Sequence, residues 1–149
     1  MKELEAELNQ VIQASPIWRA REDLLRSVPG IANITAQSLI AMLPELGHVK
    51  AKRSSALVGI APFARDSGPK KGKRSIWGGR ANLRAVLYMA TLSAIRWNPV
   101  LRAHFKQLRA RGKLFKVAMV ACMRRLLTIL DAMVRKNQRW TDVTLVHAP

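Results

Sequence analysis

The sequence predicts an all-α fold, a compact multi-helix domain with a helix-hairpin-helix-like element and a long basic loop. Apolar residues recur at helical spacing along most of the chain, and no stretch shows the alternation of apolar and polar residues that is typical of a strand. The 149 residues have the length of one ordinary domain, and a hydrophobic content of 49% is enough for a core.

Three helices are expected in the first third of the chain. Leu4, Leu8 and Val11 have helical spacing within 2–13, and a second helix is expected over 17–27. A third opens at Thr35 and ends at Pro44 and Gly47.

The remainder predicts further helices around a loop. The segment 65–80 has no apolar periodicity, so we expect a loop there. Asn98 and Pro99 form an N-cap and first-turn pair. The expected helices are 50–58, 82–97, one from Pro99 that stops at Gly112, and 117–134.

Charge restricts the class of partner. The chain has 26 Lys and Arg against 9 Asp and Glu, a net charge of +17, for which nucleic acid is the commonest partner. An anionic membrane surface is the competing explanation, but no apolar run is long enough to span a bilayer. The N-terminus is polar and acidic and carries no targeting signal, so we expect a cytoplasmic protein. The single cysteine, Cys122, lies in an apolar helical pattern and is expected to be buried.

The positive charge is concentrated in the middle of the chain. Between Lys50 and Arg84 ten cations and one acid, Asp66, give +9, about half of the net charge. Glycines here, such as Gly68 and Gly72, allow the backbone to approach a phosphate closely. Trp77 either stacks on a base or fills the core. The residues of this region that we expect to bind nucleic acid are Arg65, Lys70, Lys71, Lys73, Arg74, Arg80 and Arg84.

The segment VPGIANI, residues 28–34, resembles a helix-hairpin-helix turn, which presents the amides of a following helix to a DNA phosphate. Gly30, Ile31 and Thr35 would form this contact. Such turns usually have a second glycine where this chain has Ala32. An ordinary Pro-Gly turn between packed helices explains the segment equally well.

Ser67 stands beside Gly68 within the basic loop, where neighbouring cations would stabilise charge on a phosphodiester under attack. From the residues alone, a turn serine that bonds its own backbone is the simpler interpretation. The three histidines and the scattered acids show no metal-ligand spacing, so we expect neither a metal site nor a cofactor in this chain.

Three segments occur in an order that resembles a known family: LLRSVPGIANITAQSLIAMLPELG, ALVGIAPFARDSGPKKGKRSIWGGRANLRAVLYMATLSAIRWNP and LRARGKLFKVAMVACMRRLLTIL. They resemble the C-terminal domain of the DEDD-type bacterial insertion-sequence transposases, relatives of the Piv and MooV DNA invertases. The resemblance runs from about Pro16 to Arg135. It predicts the end of a helical linker over 1–15, a transposase C-terminal (serine) domain over 16–139 and a tail over 140–149.

The resemblance implies a DNA recombinase with two separate parts. An N-terminal RuvC-like domain holds Mg²⁺ with four acidic residues, and the C-terminal domain supplies a Ser-Gly pair whose serine is the nucleophile. On this sequence the pair is Ser67 and Gly68. The resemblance further implies DNA and a structured guide RNA as partners, and we expect a homo-oligomer during recombination.

Because no RuvC-like segment precedes Met1, we expect the chain to be part of a larger enzyme that binds DNA but does not cleave it alone. The alternative function is a non-catalytic helix-hairpin-helix module that binds the nucleic-acid backbone. A membrane-active basic helical protein is a third and weaker alternative.

Overall fold

The computed structural model describes residues 2–48, 58–60 and 81–141, and these residues form six helices and no strand. The predicted all-α class is confirmed. The expected basic loop and most of the expected helix over 50–58 lie outside the described residues. The helices are α1 (Lys2–Ala14), α2 (Pro16–Arg26), α3 (Asn33–Met42), α4 (Ala81–Trp97), α5 (Pro99–Ala110) and α6 (Phe115–Lys136).

Side-chain caps fix the starts of two helices. The hydroxyl of Ser15 accepts the backbone N–H of Trp18 at 3.3 Å, and Pro16 opens α2 one residue before the expected start. The side chain of Asn98 accepts the N–H groups of Val100 and Leu101 at 3.0 and 3.3 Å. The predicted cap of α5 is therefore confirmed.

Two helices are longer than the apolar pattern indicated. The extended residue before α3 is Ala32, with φ −96° and ψ 175°, so the helix begins at Asn33 and not at Thr35. Helix α6 extends the expected range by two residues at each end, until Asn137 adopts a left-handed φ of 52°. The residues added to α6 (Phe115, Lys116, Arg135 and Lys136) are exposed, so they do not belong to the buried apolar stripe from which the range was predicted.

The core is built on α6, which packs against α2, α4 and α5, while α3 packs against α1, α2 and α4. Every residue of α3 from Thr35 to Ile40 is buried. Helix α4 buries Leu83, Leu87 and Ala94. The fully buried side chains of α6 are Ala118, Met119, Cys122, Leu126, Leu127, Ile129 and Leu130.

Both ends of the described chain are attached to this core. Ile12 of α1 is fully buried, and Asn9 accepts a hydrogen bond from Gln37 of α3 at 3.0 Å. Trp140 packs against the core and donates its backbone N–H to the Ser27 hydroxyl at 2.9 Å. The expected boundaries near 15 and 140 remain predictions, and 142–149 lie outside the described residues.

Candidate nucleic-acid interface

The α2–α3 turn packs against α4 and the start of α5 in the protein interior. Gly30 has φ +100°, and a Cβ placed on it would come within 2.7 Å of the Ala94 Cα in α4. The Asn98 side chain donates to the Pro29 carbonyl at 3.3 Å, which joins the turn to the start of α5. The turn is therefore a packed joint between two pairs of helices.

The predicted contact residues of this turn are largely covered. Ile31 and Thr35 are each only 7% exposed, so their side chains position the turn and do not face a ligand. Ala32, Asn33 and Ile34 are exposed at the start of α3. A phosphate would reach this turn through the backbone amides of those exposed residues.

Most of the predicted loop residues lie outside the described residues: Ser67, Gly68, Arg65, Lys70, Lys71, Lys73, Arg74 and Arg80. The described residues on either side of the loop are well packed. Val58 and Ile60 are buried before it, and the guanidinium of Arg124 in α6 donates to the Ile60 carbonyl at 3.2 Å. After it, α4 begins at Ala81.

Both sides of the loop contribute to one groove. Its volume is about 560 Å³, and it is lined by Gly59, Ile60, Arg84, Ala85, Tyr88, Met89, Val120 and Met123. The described residues of the lining are mostly apolar, and among them only Arg84 is charged. Such a surface suits a flat or apolar group better than a chain of phosphates.

Arg84 is the predicted contact that the structure places in this groove. Gly30 packs on the same helix at Ala94, ten residues further along, or about 15 Å of helix axis. The structure therefore places the two described contact regions near opposite ends of α4.

Sequence reasoning missed a second basic surface. Arg102, Lys106 and Arg109 recur at the spacing of one helical stripe, a signal that the sequence contains. The α5–α6 hairpin carries six exposed cations: Arg102, Lys106, Arg109, Arg111, Lys113 and Lys116.

His104 lies within this hairpin. Its partial burial is the largest cause that lowers its pKa from 6.5, and the charges of Arg125, Arg111 and Arg124 lower the pKa further.

No described residues form a group of three or more acidic, histidine or cysteine side chains that could hold a metal ion. The buried Asp131 accepts the Gly47 N–H at 2.7 Å and pairs with Arg135 at 2.6 Å. The buried Glu22 accepts from Gln37 at 3.4 Å. These carboxylates serve the fold and do not fit a Mg²⁺ site.

Two further predictions can be compared with the described residues. Cys122 is fully buried, which confirms its packing role, and burial raises the pKa of its thiol to about 11. No helix in the described ranges is both long enough and apolar enough to cross a membrane.

Comparison with known proteins identifies the family. The chain is 31% identical over 140 residues to the pilin gene-inverting protein of Moraxella lacunata, covering 91% of this chain and 44% of that protein. It is 32% identical over 130 residues to the IS900 uncharacterized 42 kDa protein of Mycobacterium paratuberculosis, covering 85% of this chain and 32% of that protein.

A third relative is the IS110 uncharacterized 43.6 kDa protein of Streptomyces coelicolor, 27% identical over 134 residues that cover 89% of this chain and 32% of that protein. The chain spans less than half the length of these curated relatives. The model of the Transposase IS116/IS110/IS902 family matches residues 22–106, from within α2 to within α5. Since this match covers more than half of the chain, the protein belongs to the IS116/IS110/IS902 family of transposases.

Proposed function

We propose that this chain is the DNA-binding, serine-bearing part of a transposase or DNA recombinase, and that Ser67 attacks a DNA phosphodiester in concert with a separate RuvC-like domain. The observation that carries the proposal is the family match over 22–106. That range contains the Ser67-Gly68 pair and all ten cations between Lys50 and Arg84. The similarity to the pilin gene-inverting protein of Moraxella lacunata supports DNA as the substrate.

The proposed step is a transesterification. A bond forms between the Ser67 Oγ and the phosphorus, and the bond from the phosphorus to the leaving deoxyribose oxygen breaks. The serine proton ends on that leaving oxygen. Neighbouring cations stabilise the charge on the phosphoryl oxygens, and Gly68 leaves room for the strand.

The described residues support this role by holding the two sides of the loop. Arg124 fastens Ile60 to α6, and Ala81 begins a helix whose Leu83 and Leu87 are buried. The described residues on both sides of the Ser67 segment are therefore attached to the core.

We propose that the isolated chain binds DNA without cleaving it. Among the described residues, the buried carboxylates of Glu22 and Asp131 are already hydrogen-bonded, so we expect acids of the RuvC-like domain to hold Mg²⁺. A structured guide RNA and a homo-oligomeric assembly belong to the same proposal. The net charge of +17 suits two nucleic-acid partners.

The test replaces Ser67 in a full-length protein that contains this segment. Ser67→Ala should abolish recombination and the covalent protein-DNA product while DNA affinity is kept, because only the nucleophile is lost. Ser75→Ala, in the same loop, is the matched control and should recombine normally. Unchanged recombination by Ser67→Ala refutes the serine mechanism.

The second candidate is a non-catalytic helix-hairpin-helix module. The exposed start of α3 at Asn33 and Ile34 favours it, because backbone N–H groups there can donate hydrogen bonds to a phosphate. This candidate predicts backbone binding with no role for Ser67. Normal recombination by Ser67→Ala, with DNA affinity lost on Asn33→Pro, would favour it over the serine mechanism.

A further inference from the structure

We propose that the α5–α6 hairpin is a second DNA-binding surface, distinct from the basic loop and the α2–α3 turn. Six hairpin cations (Arg102, Lys106, Arg109, Arg111, Lys113 and Lys116) bind the phosphates of duplex DNA. A hairpin tip (Leu114, Phe115 and Val117) contacts the sugars and base edges between them. The choice of DNA as partner rests on the proposed function.

The first support is an unbalanced charge. All six hairpin cations are exposed, and the sequence has no acidic residue between Asp66 and Asp131. The hairpin therefore has no acid of its own to neutralise it. Interfaces with DNA are strongly positive, whereas the centres of protein-protein interfaces are depleted of lysine.

The second support is the arrangement of the cations. Arg102, Lys106 and Arg109 are separated by four and three residues, so they form one stripe on α5. The stripe covers about 10 Å of helix axis, which corresponds to roughly three base-pair steps of duplex. This spacing allows the three side chains to reach nearby phosphates of one strand.

The third support is a turn that holds the hairpin in one shape. Gly112 has φ +85° and donates its N–H to the Arg109 carbonyl at 3.0 Å. Lys113 donates its N–H to the Leu108 carbonyl at 3.1 Å. These two bonds form a Schellman motif, a helix ending in which a left-handed residue reverses the chain.

The hairpin tip is also positioned before any partner binds. The ring of Phe115 packs edge-on against Phe105, with centroids 5.7 Å apart and planes at 79°. Leu114 is 72% exposed and Val117 is 50% exposed. Apolar side chains among cations are typical of proteins that insert a wedge into the minor groove of DNA.

The electrostatic test compares two triple variants of the whole chain. Lys106→Gln, Lys113→Gln and Lys116→Gln together remove three of the six hairpin cations. Lys2→Gln, Arg19→Gln and Lys136→Gln remove the same charge from exposed positions outside it. Affinity for a labelled DNA duplex is measured across a salt series. The slope of log K against log salt should fall in magnitude by about 2.7 in the hairpin variant, at about 0.9 per phosphate, and stay unchanged in the control.

A separate variant tests the hairpin tip. Leu114→Ser should weaken duplex binding by about tenfold through lost apolar contact, with no change in the salt slope. Thermal unfolding of each variant confirms that the exposed substitutions leave the fold intact. Unchanged affinity of Leu114→Ser refutes the role of the tip.

The outcomes separate this inference from the proposed function. Equal salt slopes in the hairpin and control variants refute the hairpin surface while DNA binding by the chain stands. A flat salt response of the unmodified chain contradicts the proposed DNA binding itself. If the hairpin variant loses affinity for a structured RNA or for anionic lipid vesicles while its duplex affinity and salt slope equal those of the control, the hairpin serves that partner and the proposal of DNA is overturned.

Discussion

The α2–α3 turn and the α5–α6 turn each contain a left-handed glycine, which is packed against another helix in the first turn and open in the second. Gly30 and Gly112 both adopt a left-handed φ, +100° and +85°. A Cβ on Gly30 would meet the backbone of Ala94, whereas a Cβ on Gly112 would meet nothing within 4 Å. A left-handed glycine therefore indicates a chain reversal and does not indicate whether the turn is a packed joint or an open surface.

The two turns also differ in charge. The segment 28–34 contains no charged residue, and Val28 and Ile31 beside Gly30 are buried. The α5–α6 turn carries exposed Lys113 and Leu114 among the hairpin cations. We infer that substitutions in the first turn act on stability and that those in the second act on nucleic-acid affinity.

Gly30→Ala should have the largest effect on stability. The left-handed φ disfavours alanine, and the added carbon clashes with α4, so we expect a loss of about 2–4 kcal/mol in the free energy of unfolding. Denaturant unfolding measures this loss. Gly30→Ala should also speed the alkylation of the buried Cys122, because a less stable fold exposes its thiol to the reagent more often. The alkylation rate is therefore a second measure of the loss. A stability within about 0.5 kcal/mol of the parent would show that the turn is not a packed joint.

Gly112→Ala should cost less, about 1 kcal/mol, because only the backbone conformation is strained. Gly112→Asn should recover part of that loss, since asparagine tolerates the left-handed region, as Asn137 does at the end of α6. The same denaturant measurement applies. A loss as large as that of Gly30→Ala would contradict the difference between the turns.

Helix identity and several boundaries were predictable because local chemistry determines them. The Asn98-Pro99 pair predicted the start of α5, and the expected range 82–97 matches α4 to within one residue. The start of α3 was not predictable, because Asn33 and Ile34 are exposed and do not take part in the apolar stripe. Long-range contacts, such as Gly30 on Ala94 or Arg124 on Ile60, depend on tertiary packing that no short window contains.

The candidate site was harder to predict from the sequence than the helices were. Family resemblance identified the transposase class, which the comparisons confirm, and it remains the source of the Ser67 assignment. Thr35 and Ile31 were chosen from a motif, and their burial depends on how α3 packs. The hairpin cations were present in the sequence, but their common surface emerges only when Gly112 reverses the chain between Arg109 and Lys116.

The smallest expected effect is a pH dependence of stability at His104, within the hairpin. Burial, followed by Arg125, Arg111 and Arg124, lowers the pKa of His104 in the folded chain below its ordinary 6.5. The unfolded chain therefore binds the proton more readily, so this contribution to stability is present above the ordinary pKa and is lost as the pH falls through the folded pKa.

His104→Gln should remove this contribution, because glutamine does not titrate. Unfolding free energies at pH ~7.5 and ~5.5 should show a smaller acid-induced loss for His104→Gln than for the parent. An identical acid-induced loss in both proteins would contradict a pKa of His104 that burial and the neighbouring arginines lower.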